Sequence, residues 1–82
     1  IRTHQTGGPE TLTLDEIDTP TPGAGEVLVA VKACAINYPD GLIIRDMYQF
    51  KPPRPFAPGG EISGVIEAVG KGVEGFAVGD KV

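Results

Sequence analysis

Glycine and proline interrupt this sequence so often that no helix or strand in it can be long. Twelve glycines and eight prolines occur among the 82 residues. Proline lacks a backbone N–H and glycine readily adopts positive φ, so both residues favour turns over the interiors of regular elements. They follow no collagen-like period. We therefore expect short strands joined by tight turns, as in a small β-barrel or sandwich.

The clearest strand pattern covers residues 26–33. Three valines at alternate positions, Val27, Val29 and Val31, share one face of the predicted strand. The opposite face is also partly apolar, because Leu28 lies there. We therefore expect this strand to be central in its sheet.

Three further segments have strand character, namely residues 10–17, 61–69 and 76–82. The first alternates apolar and polar residues, and the last begins a strand after a turn. Gly64 interrupts the second run, which indicates a β-bulge or a close approach of two backbones. The proline- and glycine-rich segment 19–25 is predicted to be a loop.

One short helix is predicted over residues 39–47. Pro39 suits the first helical position, and Asp40 suits the positive end of the helix dipole. The following segment, residues 51–60, contains four prolines and two glycines. We expect it to be an extended, stiff surface loop.

Composition excludes several classes of partner. The net charge is −4, and no cluster of lysine and arginine is present, so a nucleic-acid partner is not expected. No apolar run approaches the roughly 20 residues that span a bilayer. The single cysteine, Cys34, rules out an internal disulfide and favours a cytoplasmic location. The length suits one small domain. Because the chain starts at Ile1 and ends at Val82, we expect it to be a piece of a longer protein.

A set of motifs in fixed order resembles one family. The set comprises residues 8–10, 22–29, 37–40, 55–61, 64–66, 69–70 and 79–82. Together they resemble the GroES-like catalytic domain of the medium-chain dehydrogenase/reductase superfamily, and the resemblance covers nearly the whole chain. It implies a mainly β fold, a GroES-like small β-barrel with one short helix. Residues 1–82 would be the N-terminal part of that domain, truncated before the Rossmann nucleotide-binding domain.

Two departures from the family pattern bear on metal chemistry. Asn37 stands where zinc alcohol dehydrogenases of this superfamily have a catalytic cysteine, and Gly60 stands where they have a histidine. Catalytic zinc needs three protein ligands, and neither residue supplies one. Cys34 lies three residues too early, and His4 lies near the terminus with no partner in view. The zinc-independent branch of the superfamily is therefore favoured. Within that branch, residues 37–40 together with residues 45–50 resemble the quinone oxidoreductases, the NADPH:quinone reductase-like branch.

The resemblance also implies the site residues. Asn37, Tyr48 and Asp40 are the predicted catalytic residues, and Asn37 and Tyr38 are the predicted contacts with NADPH; no metal ligand is expected. Each has a structural alternative: Asn37 as a turn residue bonding its own backbone, Tyr48 as a cover for the barrel edge, and Asp40 as a stabiliser of the helix start. Tyr38 could instead face the core.

Two other residues could have either a functional or a structural role. Glu61 is a family position near the site, or else a solvated or locally paired carboxylate. Arg45 could meet a cofactor phosphate, although a solvated helix face is the more common fate of such a residue. No G-x-G-x-x-G sequence opens a helix after a strand, so NADPH would be bound mainly by the missing domain.

The predicted activity is hydride transfer from NADPH to a quinone or conjugated carbonyl without catalytic zinc. The 82-residue piece would be inactive alone, and we expect a homodimer because a missing domain would leave apolar surface exposed. Two alternatives remain open at this point. One is a catalytically silent cofactor-binding protein, and the other is a GroES-type co-chaperonin-like binding module.

Overall fold

The computed structural model describes residues 1 to 82. In chain order the elements are β1 (Arg2–Thr3), a 3₁₀ helix (Pro9–Thr11), β2 (Leu12–Thr13), β3 (Val27–Cys34), α1 (Tyr38–Ile44) and β4 (Ile62–Val69). The chain forms two compact units. Unit 1 comprises Ile1–Ile17 and Ala35–Glu61, and unit 2 comprises Asp18–Cys34 and Ile62–Val82.

The two long strands of unit 2 form an antiparallel pair. Val27 of β3 lies opposite Val69 of β4, and Cys34 lies opposite Ile62 at the other end. Valine and isoleucine dominate both strands because their stiff, branched side chains suit a pleated surface. Ile66 is only 1% exposed and is the most deeply buried apolar side chain. The strands predicted over residues 26–33 and 61–69 are confirmed, and their observed ends differ from the predicted ends by at most one residue.

Gly64 lies where the pairing of β3 with β4 is irregular. A register shift occurs between Val31 and Ala33, and Gly64 lies opposite Val31. A Cβ atom at Gly64 would lie 2.2 Å from the carbonyl oxygen of Ala30. Only a residue without a side chain fits at this distance, so the predicted close backbone approach is confirmed.

One prediction for unit 2 is wrong, and another is confirmed only in part. β3 pairs with β4 alone, so it is not a central strand in this chain. In residues 76–82 the predicted turn is present, with Gly79 at φ 95°, but only a bridge and not a full strand follows it. Lys81 makes only an isolated bridge to Val65. Val82 and Gly64 exchange two backbone hydrogen bonds of 2.8 and 2.9 Å.

In unit 1, a buried threonine and an arginine fix the proline-rich loop 51–60. Thr3 is fully buried in β1 and exchanges backbone hydrogen bonds of 2.9 and 3.3 Å with Phe56. Arg54 donates to the Thr3 hydroxyl and, at 3.2 Å, to the carbonyl oxygen of Ile44. Its guanidinium lies 5.2 Å from the centroid of the Phe56 ring. The loop is therefore tied to β1 and to the end of α1.

The strand predicted over residues 10–17 is wrong for most of its length. A 3₁₀ helix begins at Pro9, whose fixed φ suits a helical start. Only Leu12–Thr13 is extended and paired, and its partner β1 has two residues. Leu14 is 84% exposed. The alternation of apolar and polar residues therefore continues beyond Thr13, where β2 has no further partner in β1.

A small charged cluster follows β2. Oδ2 of Asp15 lies 2.6 Å from Nε2 of His4 and 3.3 Å from Nε of Arg2. The Thr13 hydroxyl donates to Oδ1 of Asp15 at 2.8 Å. The hydrogen bond from His4, followed by that from Thr13, lowers the pKa of Asp15 below its ordinary value. The interpretation of His4 as a residue without a partner is wrong.

The single α-helix is shorter than predicted. It ends at Ile44 rather than at residue 47, because Arg45 leaves the helical conformation and Asp46 adopts a positive φ of 60°. The N–H of Met47 then bonds back to the carbonyl oxygen of Leu42 at 2.9 Å. No helix of this chain has the length and apolar character needed to cross a membrane.

Candidate functional site

The start of α1 fixes Asn37, the first of the predicted site residues. Asn37 is the N-cap of the helix, with extended backbone angles of φ −127° and ψ 163°. Its backbone N–H donates to Oδ2 of Asp40 at 2.9 Å, and the two residues form a capping box. Asn37 and Asp40 thus both stabilise the start of α1, which is the structural alternative to a catalytic role.

A second carboxylate holds the side chain of Asn37. Nδ2 of Asn37 donates to Oε1 of Glu61 at 3.1 Å. Glu61 is itself placed by the backbone, because the N–H of Ala35 donates to its carbonyl oxygen at 3.0 Å. An amide nitrogen carries two hydrogens, and Glu61 accepts only one of them. Because Asn37 is exposed, the second hydrogen is accessible to a ligand.

An open cavity of about 390 Å³ lies in unit 1. This volume is within the usual range for small-molecule sites, roughly 300–1,000 Å³. Asp40 and Tyr48 line the cavity, as do the rings of Phe50 and Phe56. The other lining residues, mostly apolar or glycine, are Pro39, Ile43, Pro52, Ala57, Pro58, Gly59 and Gly60. A flat, largely apolar ligand would suit such walls.

The structure brings most of the predicted site residues together. Asp40 connects the two parts of the site, because it lines the cavity and also accepts a hydrogen bond from Asn37. Tyr48 shares the cavity with it. Tyr38 is 81% exposed and does not line the cavity. Glu61, which sequence reasoning left undecided, is the partner of the Asn37 side chain.

Loop 51–60 has a role that the sequence analysis missed. It was expected to be a stiff surface loop, but Pro52, Phe56 and Pro58 form part of the cavity wall. The signal was present in the sequence as an aromatic residue between prolines. A stiff loop that carries an aromatic ring can hold one wall of a site without the entropy cost of a flexible one.

Arg45 and the possible metal ligands are the remaining candidates from the sequence. Arg45 donates to the carbonyl oxygen of Gly41 at 2.9 Å, within its own helix. No group of three or more histidine, cysteine, aspartate or glutamate side chains is placed to hold a metal ion. Asp40 and Glu61 each accept a hydrogen bond from Asn37 instead. Asn37 and Gly60, at the two positions compared above with zinc alcohol dehydrogenases, supply no zinc ligand.

Comparison with known proteins identifies the family. Residues 23–82 match the model of the alcohol dehydrogenase GroES-like domain. The chain belongs to this family. The GroES-like domain is 41% identical, over its whole length, to a quinone oxidoreductase of Rattus norvegicus, of which it covers 25%. The predicted mainly β, GroES-like fold with one short helix is confirmed, as is the resemblance to quinone oxidoreductases.

Solved structures share the fold of the GroES-like domain. A quinone oxidoreductase of Escherichia coli complexed with NADPH has a TM-score of 0.83 at 34% identity, and the match covers 98% of this chain and 24% of that one. A cobalt- and zinc-bound alcohol dehydrogenase of Pyrobaculum aerophilum has a TM-score of 0.84 at 40% identity, with 98% and 25% covered. The chain spans about a quarter of the length of the relatives that it matches.

Proposed function

We propose that this GroES-like domain is the acceptor-side part of a longer oxidoreductase, which transfers a hydride from NADPH to a quinone or conjugated carbonyl without catalytic zinc. The match to quinone oxidoreductases over the whole chain supports this activity. The relatives are about four times longer, which leaves room for the nucleotide-binding domain that the sequence analysis expects. The remainder of the proposal depends on the cavity and on Asn37.

The observation that carries the proposal is an aromatic, largely apolar cavity, one of whose lining residues, Asp40, also binds the backbone of Asn37. Phe50 and Phe56 offer ring faces and edges to a flat acceptor. Tyr48 adds a phenol, which can both stack against a ring and donate a hydrogen bond to a carbonyl oxygen. A quinone combines these two features, because it is flat and apolar and has a carbonyl oxygen at each end.

Hydrogen-bond donors would stabilise the negative charge that develops on the acceptor oxygen. In the absence of a metal ligand set, this role falls to side-chain and backbone donors. The second Nδ2 hydrogen of Asn37 and the hydroxyl of Tyr48 are the donors that we propose. Asp40 acts indirectly, because it holds the backbone of Asn37 at the start of α1.

Asn37 and Tyr38 are the residues of this domain that we propose to contact NADPH. When bound, NADPH would supply a hydride, that is one proton and two electrons, and the reduced acceptor would take one further proton from water. Both residues are exposed, so the cofactor ring could contact the phenol of Tyr38 and the face of the Asn37 amide, whose second hydrogen stays available to the acceptor. The larger part of the cofactor would be held outside this domain.

The test is NADPH oxidation by the full-length enzyme with a small quinone, with and without a metal chelator. We expect turnover that resists the chelator. Turnover abolished by the chelator would contradict the zinc-free mechanism, which is a serious test because a structurally similar alcohol dehydrogenase binds zinc. No turnover in either case would favour a catalytically silent protein.

Variants then test the proposed donors. Asn37→Ala and Tyr48→Phe should each lower kcat/KM by about 10- to 100-fold, somewhat less than the loss of a fully buried oxyanion donor. Gln49→Ala is the matched control, because it removes an exposed amide that does not line the cavity. If both site variants kept the wild-type kcat/KM, the proposed donor roles would be wrong.

We also propose that the protein self-associates. Several large apolar side chains are more than half exposed, namely Leu14, Ile17, Ile36, Met47, Phe50, Phe76 and Val78. Surfaces of this kind mark contacts with other protein surfaces when they are contiguous. Sedimentation velocity should show dimers or larger species, and a strictly monomeric profile at high concentration would count against the proposal.

A further inference from the structure

Glu61 contacts Asn37 in a way that distinguishes the two ends of the amide. An ionised carboxylate only accepts hydrogen bonds, whereas an asparagine side chain has a donating nitrogen and an accepting oxygen. The atom of Asn37 that faces Oε1 of Glu61, at 3.1 Å, must therefore be Nδ2. A neutral or cationic residue at position 61 would not impose this orientation.

The backbone fixes the side from which Glu61 reaches Asn37. Glu61 immediately precedes β4, and its carbonyl oxygen accepts a hydrogen bond of 3.0 Å from the N–H of Ala35. Asn37 follows Ala35 by two residues, and its own backbone N–H is held by Asp40. The capping box holds the oxygen of the Asn37 amide against the backbone N–H of Asp40, and Glu61 holds its nitrogen. The two contacts favour the same orientation of the amide.

We infer that Glu61 is a positioning residue, which orients the Asn37 amide so that its nitrogen points the remaining hydrogen outward as a donor. This inference rests on the proposed function, because the donor matters only if an acceptor oxygen binds beside it. Stability gives a weak alternative reason for the contact. Glu61 and Asn37 are both exposed, and exposed hydrogen bonds contribute little to folding.

Two substitutions at position 61 should change the orientation of the Asn37 amide to different extents. A glutamine can pair with Asn37 in either orientation, so Glu61→Gln should leave both orientations populated and lower kcat only about 2-fold. A lysine has donors only, so Glu61→Lys should attract the oxygen of Asn37 and turn its nitrogen away. If the productive orientation falls to about a tenth, kcat falls about 10-fold.

Glu67→Lys is the matched control, because it makes the same charge change at an exposed glutamate of β4 outside the site. It should leave kcat unchanged. Because Glu61→Lys also turns the Asn37 amide that we propose as a contact with NADPH, kcat is compared at saturating NADPH. In the Asn37→Ala background, Glu61→Lys should cost nothing further, because two residues that act as one unit are not additive.

A second measurement is independent of activity. Asn37 is the only asparagine among the 82 residues, so [¹⁵N]asparagine labelling of this chain gives one pair of side-chain amide protons in NMR spectra. Glu61→Lys should shift these signals and speed their exchange with water, and Glu67→Lys should not. Unchanged signals in Glu61→Lys would overturn the inference.

The kinetic outcomes separate the inference from the proposed function. If Asn37→Ala lowers kcat but Glu61→Lys does not, the proposed function stands and the positioning role of Glu61 is wrong. If the wild-type enzyme reduces no quinone, the proposed function fails before any variant is compared, and the catalytic part of the inference fails with it. A graded loss from Glu61→Gln to Glu61→Lys supports both.

Discussion

Replacement of Gly64 by alanine should strongly destabilise the pair of strands β3 and β4. The added Cβ would lie 2.2 Å from the carbonyl oxygen of Ala30 and 2.8 Å from a methyl group of Val29. The nearer contact is with backbone, so no side-chain rotation relieves it. The two strands must separate by most of an ångström before the Cβ reaches 3.0 Å, below which such contacts are essentially never found.

The expected loss follows from what this separation disturbs. Ala30 pairs with Val65, and Gly64 exchanges two backbone hydrogen bonds with Val82 on its other side. Insertion of one methyl group into a closely packed site typically costs about 1–3 kcal/mol, and the backbone contact puts this site at about 2–3 kcal/mol. For a domain of this size, such a loss lowers Tm by roughly 10–20 °C.

Urea unfolding followed by circular dichroism measures this change, because the chain has no tryptophan for fluorescence. Gly60→Ala is the matched control, since a Cβ at Gly60 meets nothing within 4 Å and its φ is not positive. If Gly64→Ala and Gly60→Ala unfolded at the same urea concentration, the close approach of β3 and β4 at Gly64 would be refuted.

Three further predictions concern other parts of the chain. Gly41→Ala should stabilise α1 by about 0.5–1 kcal/mol, because only the flexible end of Arg45 lies near the new methyl group; unfolding at lower urea would contradict this. Ile66→Ala should lower the free energy of unfolding by about 2–5 kcal/mol, whereas Leu14→Ala, at an exposed position, should stay within about 0.5 kcal/mol. Because its hydrogen bonds lower the pKa of Asp15, this carboxylate stabilises the fold above its ordinary pKa of 3.8, and the contribution is lost as pH falls through the lower folded pKa. Asp15→Asn should therefore flatten the acid limb of the stability–pH profile, and an unchanged acid limb would contradict the assignment.

Local chemistry explains where sequence reasoning succeeded. The strands of unit 2 were predicted nearly to the residue, because runs of valine and isoleucine favour extended backbone wherever they lie. The close approach at Gly64 was also predictable, since a glycine inside an apolar strand often marks a bulge or a place where two backbones nearly touch. The role of Asp40 at the helix start is local as well, because only two residues separate it from its partner Asn37.

The errors lie where a distant segment decides the outcome. Residues 10–17 alternate as a strand does, yet only Leu12–Thr13 finds a partner, because β1 offers two residues. The partner of His4, Asp15, lies 11 residues away, and no local pattern indicated the bond. Loop 51–60 was predicted to be stiff, but its position in the cavity wall depends on the hydrogen bond from Arg54 to Thr3, which lies 51 residues earlier in the chain.

The sequence by itself determined the family, the strands of unit 2, the helix and the residue types at positions 37 and 60 that bear on zinc. These depend on short-range preferences and on motif order, which are readable without coordinates. Only the tertiary structure decided that Glu61 holds the Asn37 amide across 24 residues of chain, and that Phe50 and Phe56 form a cavity with Tyr48. Contacts between residues far apart in sequence require the chain to be folded, because side-chain hydrogen bonds and cavity walls depend on distances that no local pattern encodes.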